Sequence, residues 1–421
     1  MKRLVSLGWT FAVGPLFAFT LLGYFLQLRS QGVGVAVLFV AGLVALGSLS
    51  SQRRNRASGP VNHWGFDEFL ITVGYGLLAV TAPLVVGLYG GVHEMSGDPF
   101  PIGWAGLASL CAVLCAVAVL LVGSRRAKVV SRTEGALGVV SLVLVALGMV
   151  VVLAVILQGG INGNRIHLFT FQSASWPAIC AGIAVAVPFF FGADFSVTQS
   201  TGLGEDARRW SRPNLIWLIG FLVLLQYSGA MGTSVLWPDI PAFSPLANTY
   251  VGGSVRGVAW FLVVASGVLY SLLLAVLFSR RLEAHSLNLR ARVLTVAGLT
   301  ALAIIASSKF FTGAVSPGDG DAMSIFLNVS SVGGALLVAG LAASCIRALL
   351  ITRSLKMGVM EYLPSAVGLL GLSLAFYGYF WTGVSPAPMA PEQFAIIVAA
   401  LTTGAAYVSW RRSLRPSAEA Q

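Results

Sequence analysis

Charge is scarce in this chain: only 10% of its 421 residues are Asp, Glu, Lys or Arg. A water-soluble domain of this size needs far more polar surface, so the soluble globular class is excluded. Cysteines number four, too few for a disulfide framework. Cys111 and Cys115 lie one helical turn apart, and together with Cys180 and Cys345 they read as small buried hydrophobes. The four histidines, His63, His93, His167 and His285, are far apart and lack metal-ligand spacing. No glycine-rich phosphate loop of the Walker type is present, which argues against ATP-driven work. Polar catalytic groups do not gather inside the apolar stretches either. The expectation is a protein that is not an enzyme and carries no metal or other cofactor.

What the chain has instead is hydrophobicity, at 57% of residues and a mean hydropathy of +0.86. Uncharged apolar runs of roughly 18 residues or more read as membrane helices, and about twelve can be drawn. In order, spans 1 to 12 are Leu4–Leu28, Gly32–Ser51, Phe69–Tyr89, Ile102–Gly123, Gly135–Leu157, Trp176–Gln199, Asn214–Leu236, Gly257–Phe278, Val293–Gly313, Met323–Ile346, Tyr362–Thr382 and Phe394–Trp410. The polar gaps are short, so the whole chain, 1–421, is expected to form one all-α multi-pass membrane domain. The first apolar run is too long for a signal peptide and has no convincing cleavage site, so it reads as an uncleaved span.

The net charge of +11 invites a nucleic-acid reading, but its distribution argues against one. With the N-terminus inside and alternating spans, 22 of the 26 Lys and Arg residues fall on the inner side. That asymmetry is the positive-inside rule. It predicts both termini in the cytoplasm, a location in the cytoplasmic (plasma) membrane, the lipid bilayer as the partner, and no nucleic acid. The inner segment Ser279–Arg292 has the composition of a short amphipathic surface helix, with Leu282, Leu287 and Leu289 toward lipid.

Two spans carry breaks. Span 1 contains Gly14-Pro15, and span 6 contains Pro188 and then Gly192. Proline removes a helical hydrogen bond and glycine lowers the cost of unwinding. Interrupted helices at corresponding places in two halves of a chain point to a transporter binding site. Beside the second break stands Asp194, the one ionisable residue deep inside a span. A carboxylate there needs a partner, a water cavity or a task. It is a candidate ammonium ligand, a candidate proton carrier, or a cap on the half-helix that follows the break.

The segment Phe189-Phe190-Phe191-Gly192-Ala193-Asp194, followed by Gly204-Glu205-Asp206-Ala207-Arg208-Arg209 and Arg212-Pro213, resembles the sixth span and following loop of amino acid–polyamine–organocation permeases. Ser244-Pro245-Leu246-Ala247 before span 8 and Ser279-Arg280 at its end add to the likeness. The resemblance implies a leucine-transporter-like fold: a five-plus-five inverted repeat, here 4–157 and 176–346, followed by two extra helices within 362–410. It implies a solute bound between broken spans 1 and 6, against spans 3, 8 and 10, and moved by alternating access. Carried onto this chain, the substrate-binding candidates are Val13, Gly14, Pro15, Leu16, Phe190, Phe191, Gly192, Ala193 and Asp194. From the residues themselves, Tyr75 of span 3, flanked by Gly74 and Gly76, and Tyr270 of span 8 are further substrate-binding pocket candidates.

The chain also departs from the family. Gly14-Pro15-Leu16 stands where two glycines normally flank one residue, so an amide donor is lost and backbone approach is narrowed. Span 8 offers Ser266 and Ser271 five residues apart rather than a neighbouring pair for sodium, and span 5 has no lysine. The coupling ion, proton or sodium, stays open, with Asp194 favouring protons. The expected function is secondary active transport of an amino acid or related amine as the small-molecule substrate. The alternative is a permease-like membrane sensor or scaffold that does not transport.

Overall fold

In a computed structural model the described residues are 7–11, 34–57, 65–95, 111–116, 127–155, 175–192, 212–223, 253–284, 289–307, 322–380 and 391–413. These residues are helical apart from short turns and caps. Span 2 is the helix Gly34–Ala57 and span 3 is Phe66–Met95. Span 5 is Ala127–Val155, span 8 is Gly253–Ala284 and span 9 is Leu289–Ser307. Spans 10, 11 and 12 are Ala322–Ser354, Val359–Phe380 and Pro391–Ser413. By length and composition, five described helices, in spans 2, 3, 8, 10 and 11, are able to cross a membrane.

Surface and interior are both apolar. Span 11 turns Val359, Met360 and Leu370 outward, while Leu372 and Ala375 on its other face are buried. Span 5 likewise exposes Val139, Val140 and Val143. Water penalises such a surface; a hydrocarbon solvent does not. Association of helices in lipid then depends on close packing, and small residues supply it. Spans 3 and 10 cross where a Cβ added to Gly74 would meet the Gly333 carbonyl oxygen at 2.8 Å and the Leu337 amide at 2.9 Å. Spans 2 and 11 cross at Gly47 and Gly368, where a Cβ on Gly368 would lie 3.0 Å from backbone atoms of Gly47 and Ser48.

Polar groups collect at one end of the bundle. The C-terminal ends of spans 2, 8 and 10 meet the N-terminal ends of spans 3 and 11 there. Arg281 of span 8 donates from Nη1 to Glu68 Oε2 at 2.9 Å. Arg347 of span 10 lies 3.7 Å from the buried Asp67 of span 3. Arg54 of span 2 pairs with Glu361 of span 11 and donates to Thr352 of span 10. Alternating spans require these five ends to share one face.

The end of span 8 corrects one expectation. Ser279–Ala284 continues the span-8 helix rather than starting a surface helix. Leu282 is fully buried in the core and does not face lipid. Arg281 explains this: its pairing with Glu68 pulls the last turn inward, against span 3. Leu289 opens span 9, and Leu287 lies outside the described residues.

Candidate functional site

Span 6 begins as an α-helix, Trp176–Ala186, with Ser175 accepting from the Ala178 amide at 3.4 Å as its N-cap. It tightens to a 3-10 turn over Val187–Phe190 and then stops being helical. Phe191 is extended (φ −62°, ψ 141°), and Gly192 has φ 91°, a conformation that side-chain-bearing residues rarely adopt. Of the interruption expected at Pro188–Gly192, the described residues show the loss of helical geometry at Phe191 and Gly192, where the described part of span 6 ends. This backbone is positioned by two tyrosines.

The first tyrosine is on span 11. Pro188 has no N–H, so the Ala184 carbonyl four residues earlier loses its normal helical donor. Tyr379 Oη donates to that carbonyl at 3.0 Å. The second is Tyr75 of span 3, whose Oη accepts from the Gly192 N–H at 3.2 Å. Its ring meets the Phe191 ring edge-on, with centroids 6.0 Å apart at 64°. Tyr75 is 2% exposed. It lies nine residues, about 14 Å, from the start of its helix. The Arg281 guanidinium stands 4.9 Å from the Tyr75 ring centroid, a cation–π contact that gains strength when desolvated. A continuous chain of contacts thus runs from Glu68 through Arg281 and Tyr75 to Gly192.

Beside the break lies a cavity of about 30 Å³. Its polar lining comes from Ser48 and Gln52 of span 2 and from Tyr75. Phe190 and Phe191 of span 6 and Leu372 of span 11 form part of its apolar wall. Ser48 is 4% exposed, and its Oγ has no hydrogen-bond partner among the described residues. Among the described residues no Asp, Glu, Lys, Arg or His lines the cavity.

Of the expected site residues, the structure brings together Tyr75, Phe190, Phe191 and Gly192. Three consecutive phenylalanines point in three directions, and here Phe190 and Phe191 line the cavity while Phe189 is packed into the core. Tyr270 is buried in span 8 and does not line the cavity. Val13, Gly14, Pro15, Leu16, Ala193 and Asp194 lie outside the described residues, as do His63, His167 and His285. The four cysteines are buried free thiols. Among the described residues no cluster of three or more His, Cys, Asp or Glu is placed to hold a metal.

Sequence reasoning missed Ser48, Gln52 and Tyr379. For the first two a signal existed: Ser48, Ser51, Gln52 and Asn55 form a polar stripe at i, i+3, i+4 and i+7 inside an apolar span. All four are buried. Ser51 Oγ lies 2.9 Å from Ser365 Oγ of span 11, and Asn55 Nδ2 donates to the Ser344 carbonyl of span 10 at 2.8 Å. For Tyr379 no local signal exists, because its partner is created by a proline in another span.

No protein-family model matches the chain, and no curated protein matches it. Among solved structures, it is similar in outline to a manganese transporter from Eremococcus coleocola in complex with an aromatic bis-isothiourea substituted compound. Identity is 14%, TM-score is 0.46, and the match covers 97% of this chain and 92% of that one. It is also similar to MhsT in complex with L-phenylalanine, at 15% identity and TM-score 0.44, covering 90% of this chain and 98% of that one. At these scores neither likeness carries an argument about this chain.

Proposed function

We propose that this protein is a secondary active transporter, a permease of amino acids or related amines that works by alternating access. The observation that carries this reading is the span-6 break. Phe191 and Gly192 leave helical geometry inside the apolar bundle, next to a cavity, with the Gly192 amide held by a side chain of span 3. Irregular backbone at membrane depth is tolerated where it is enclosed by protein or lines a cavity, and transporters place solutes at such breaks. The Gly14-Pro15 interruption in span 1 is the proposed counterpart, within a five-plus-five inverted repeat and two further helices. Rocking of spans 1, 2, 6 and 7 against spans 3, 4, 8 and 9 is the proposed motion.

Asp194 follows the break by two residues and is the proposed ammonium ligand or proton carrier. The test is uptake into proteoliposomes across a panel of amino acids and amines, with and without proton and sodium gradients. Uptake of at least one solute class is expected. If nothing on a broad panel moves and nothing stabilises the protein thermally, the sensor or scaffold reading replaces this one. For Asp194→Asn, a proton carrier predicts lost pH-driven uptake with solute exchange retained, whereas an ammonium ligand predicts loss of binding itself.

A further inference from the structure

The cavity beside the break has a chemistry of its own. It lies between spans 2, 3, 6, 10 and 11, and its volume of about 30 Å³ has room for about two or three water-sized groups, the heavy-atom count of a short side chain. Among the described residues its polar side chains are Ser48, Gln52 and Tyr75. The hydroxyl of Ser48 is buried without a partner among the described residues. The hydroxyls of Ser266 and Ser330 are likewise unmatched among the described residues, but of the three only Ser48 lines this cavity, where a bound water or a solute group would satisfy it. The other described residues of the wall are aliphatic or aromatic. A charged group entering it would be buried with no counter-ion among the described lining residues, at a cost that neutral groups do not meet.

We propose that this cavity is the side-chain seat of the transported solute. It confines the solute to those with a short, uncharged side chain, and Ser48 and Gln52 are its specificity-determining residues. The inference rests on the permease reading. Ser48 Oγ supplies one hydrogen bond to a hydroxyl or amide on the solute, and Gln52 closes the polar side. Leu372 and Ala45 set the length that fits: both line the cavity, Leu372 from span 11 and Ala45 from span 2.

The test is competition against uptake of labelled alanine in proteoliposomes by the full-length protein. Glycine, serine, threonine and valine are expected to compete at least 10-fold more strongly than phenylalanine, lysine or glutamate. Leu372→Ala enlarges the seat and is expected to raise competition by leucine and phenylalanine about 10-fold relative to alanine. Ala45→Leu fills it and is expected to abolish competition by valine while sparing glycine, which also shows that the variant is folded. Ser48→Ala is expected to weaken serine and threonine more than alanine. Lysine or glutamate competing as well as serine overturns the inference, and the wild-type series decides this without any variant. So does a response in which Leu372→Ala and Ala45→Leu change every solute in the same proportion. Transport with unsorted solutes thus removes this inference alone, whereas no transport of any solute removes the permease reading and this inference together.

Discussion

Pro83 and Pro364 are passed by uninterrupted helices, Phe66–Met95 and Val359–Phe380, while Pro188 stands at a break. Each proline deletes one helical hydrogen bond, so the missing N–H is not what stops span 6. The difference lies in the residues that come after the proline and in the spans packed around it. Only after Pro188 does a glycine take positive φ among the described residues. There, too, two tyrosines from other spans take up the Ala184 carbonyl and the Gly192 amide. A proline makes unwinding cheap; neighbours that satisfy the released backbone make it stable.

The largest test of that contrast is Gly192→Val. A β-branched residue at φ 91° should cost roughly 2–3 kcal/mol, seen as a lower thermal transition in detergent and a loss of uptake. If transport and stability were unchanged, the break would not depend on this conformation.

Next comes Tyr379→Phe. Removing the donor to the Ala184 carbonyl should cost about 1–2 kcal/mol, because a buried acceptor is left unpaired. In a Pro188→Ala background residue 188 regains its N–H, so the same change should cost clearly less. A double-mutant cycle with no coupling would separate Tyr379 from the proline. Tyr75→Phe removes one hydrogen bond from Gly192 but keeps the ring against Phe191 and under Arg281. A loss of about 1 kcal/mol is expected, with uptake falling more than this small stability change implies. The smallest effect belongs to Pro364→Ala. Its helix already continues through the proline, so stability should stay within about 1 kcal/mol of wild type and uptake should not change.

Some of this was legible in the residues. Pro188 and Gly192 marked the break, and a glycine-flanked Tyr75 suggested a pocket residue, because both depend on local backbone chemistry. Partnerships across the bundle were not legible. A helix that is apolar all round gives no facing direction through periodicity, so neither Tyr379 nor the pairing of Arg281 with Glu68 could be placed. Leu282 shows the same limit from the other side: its flanking arginines suggested a surface, yet one of them, Arg281, is the residue that turns this segment into the core. The Ser48–Asn55 stripe was visible but needed its partners on spans 10 and 11 to acquire meaning.

Spans 3, 8 and 10 are helices of 30, 32 and 33 residues. At 1.5 Å per residue they measure about 45–50 Å, against roughly 30 Å of bilayer hydrocarbon. The surplus turns stand among lipid headgroups unless the helices tilt strongly. Arg347 lies near those ends with its side chain 46% exposed, so a lipid phosphate can compete with Asp67 for it, whereas Arg281 is 7% exposed and stays with Glu68. Bilayer thickness and headgroup charge therefore bear on the seam between spans 3 and 10 through Arg347 and Asp67, while the arginine that stacks on Tyr75 is shielded from both.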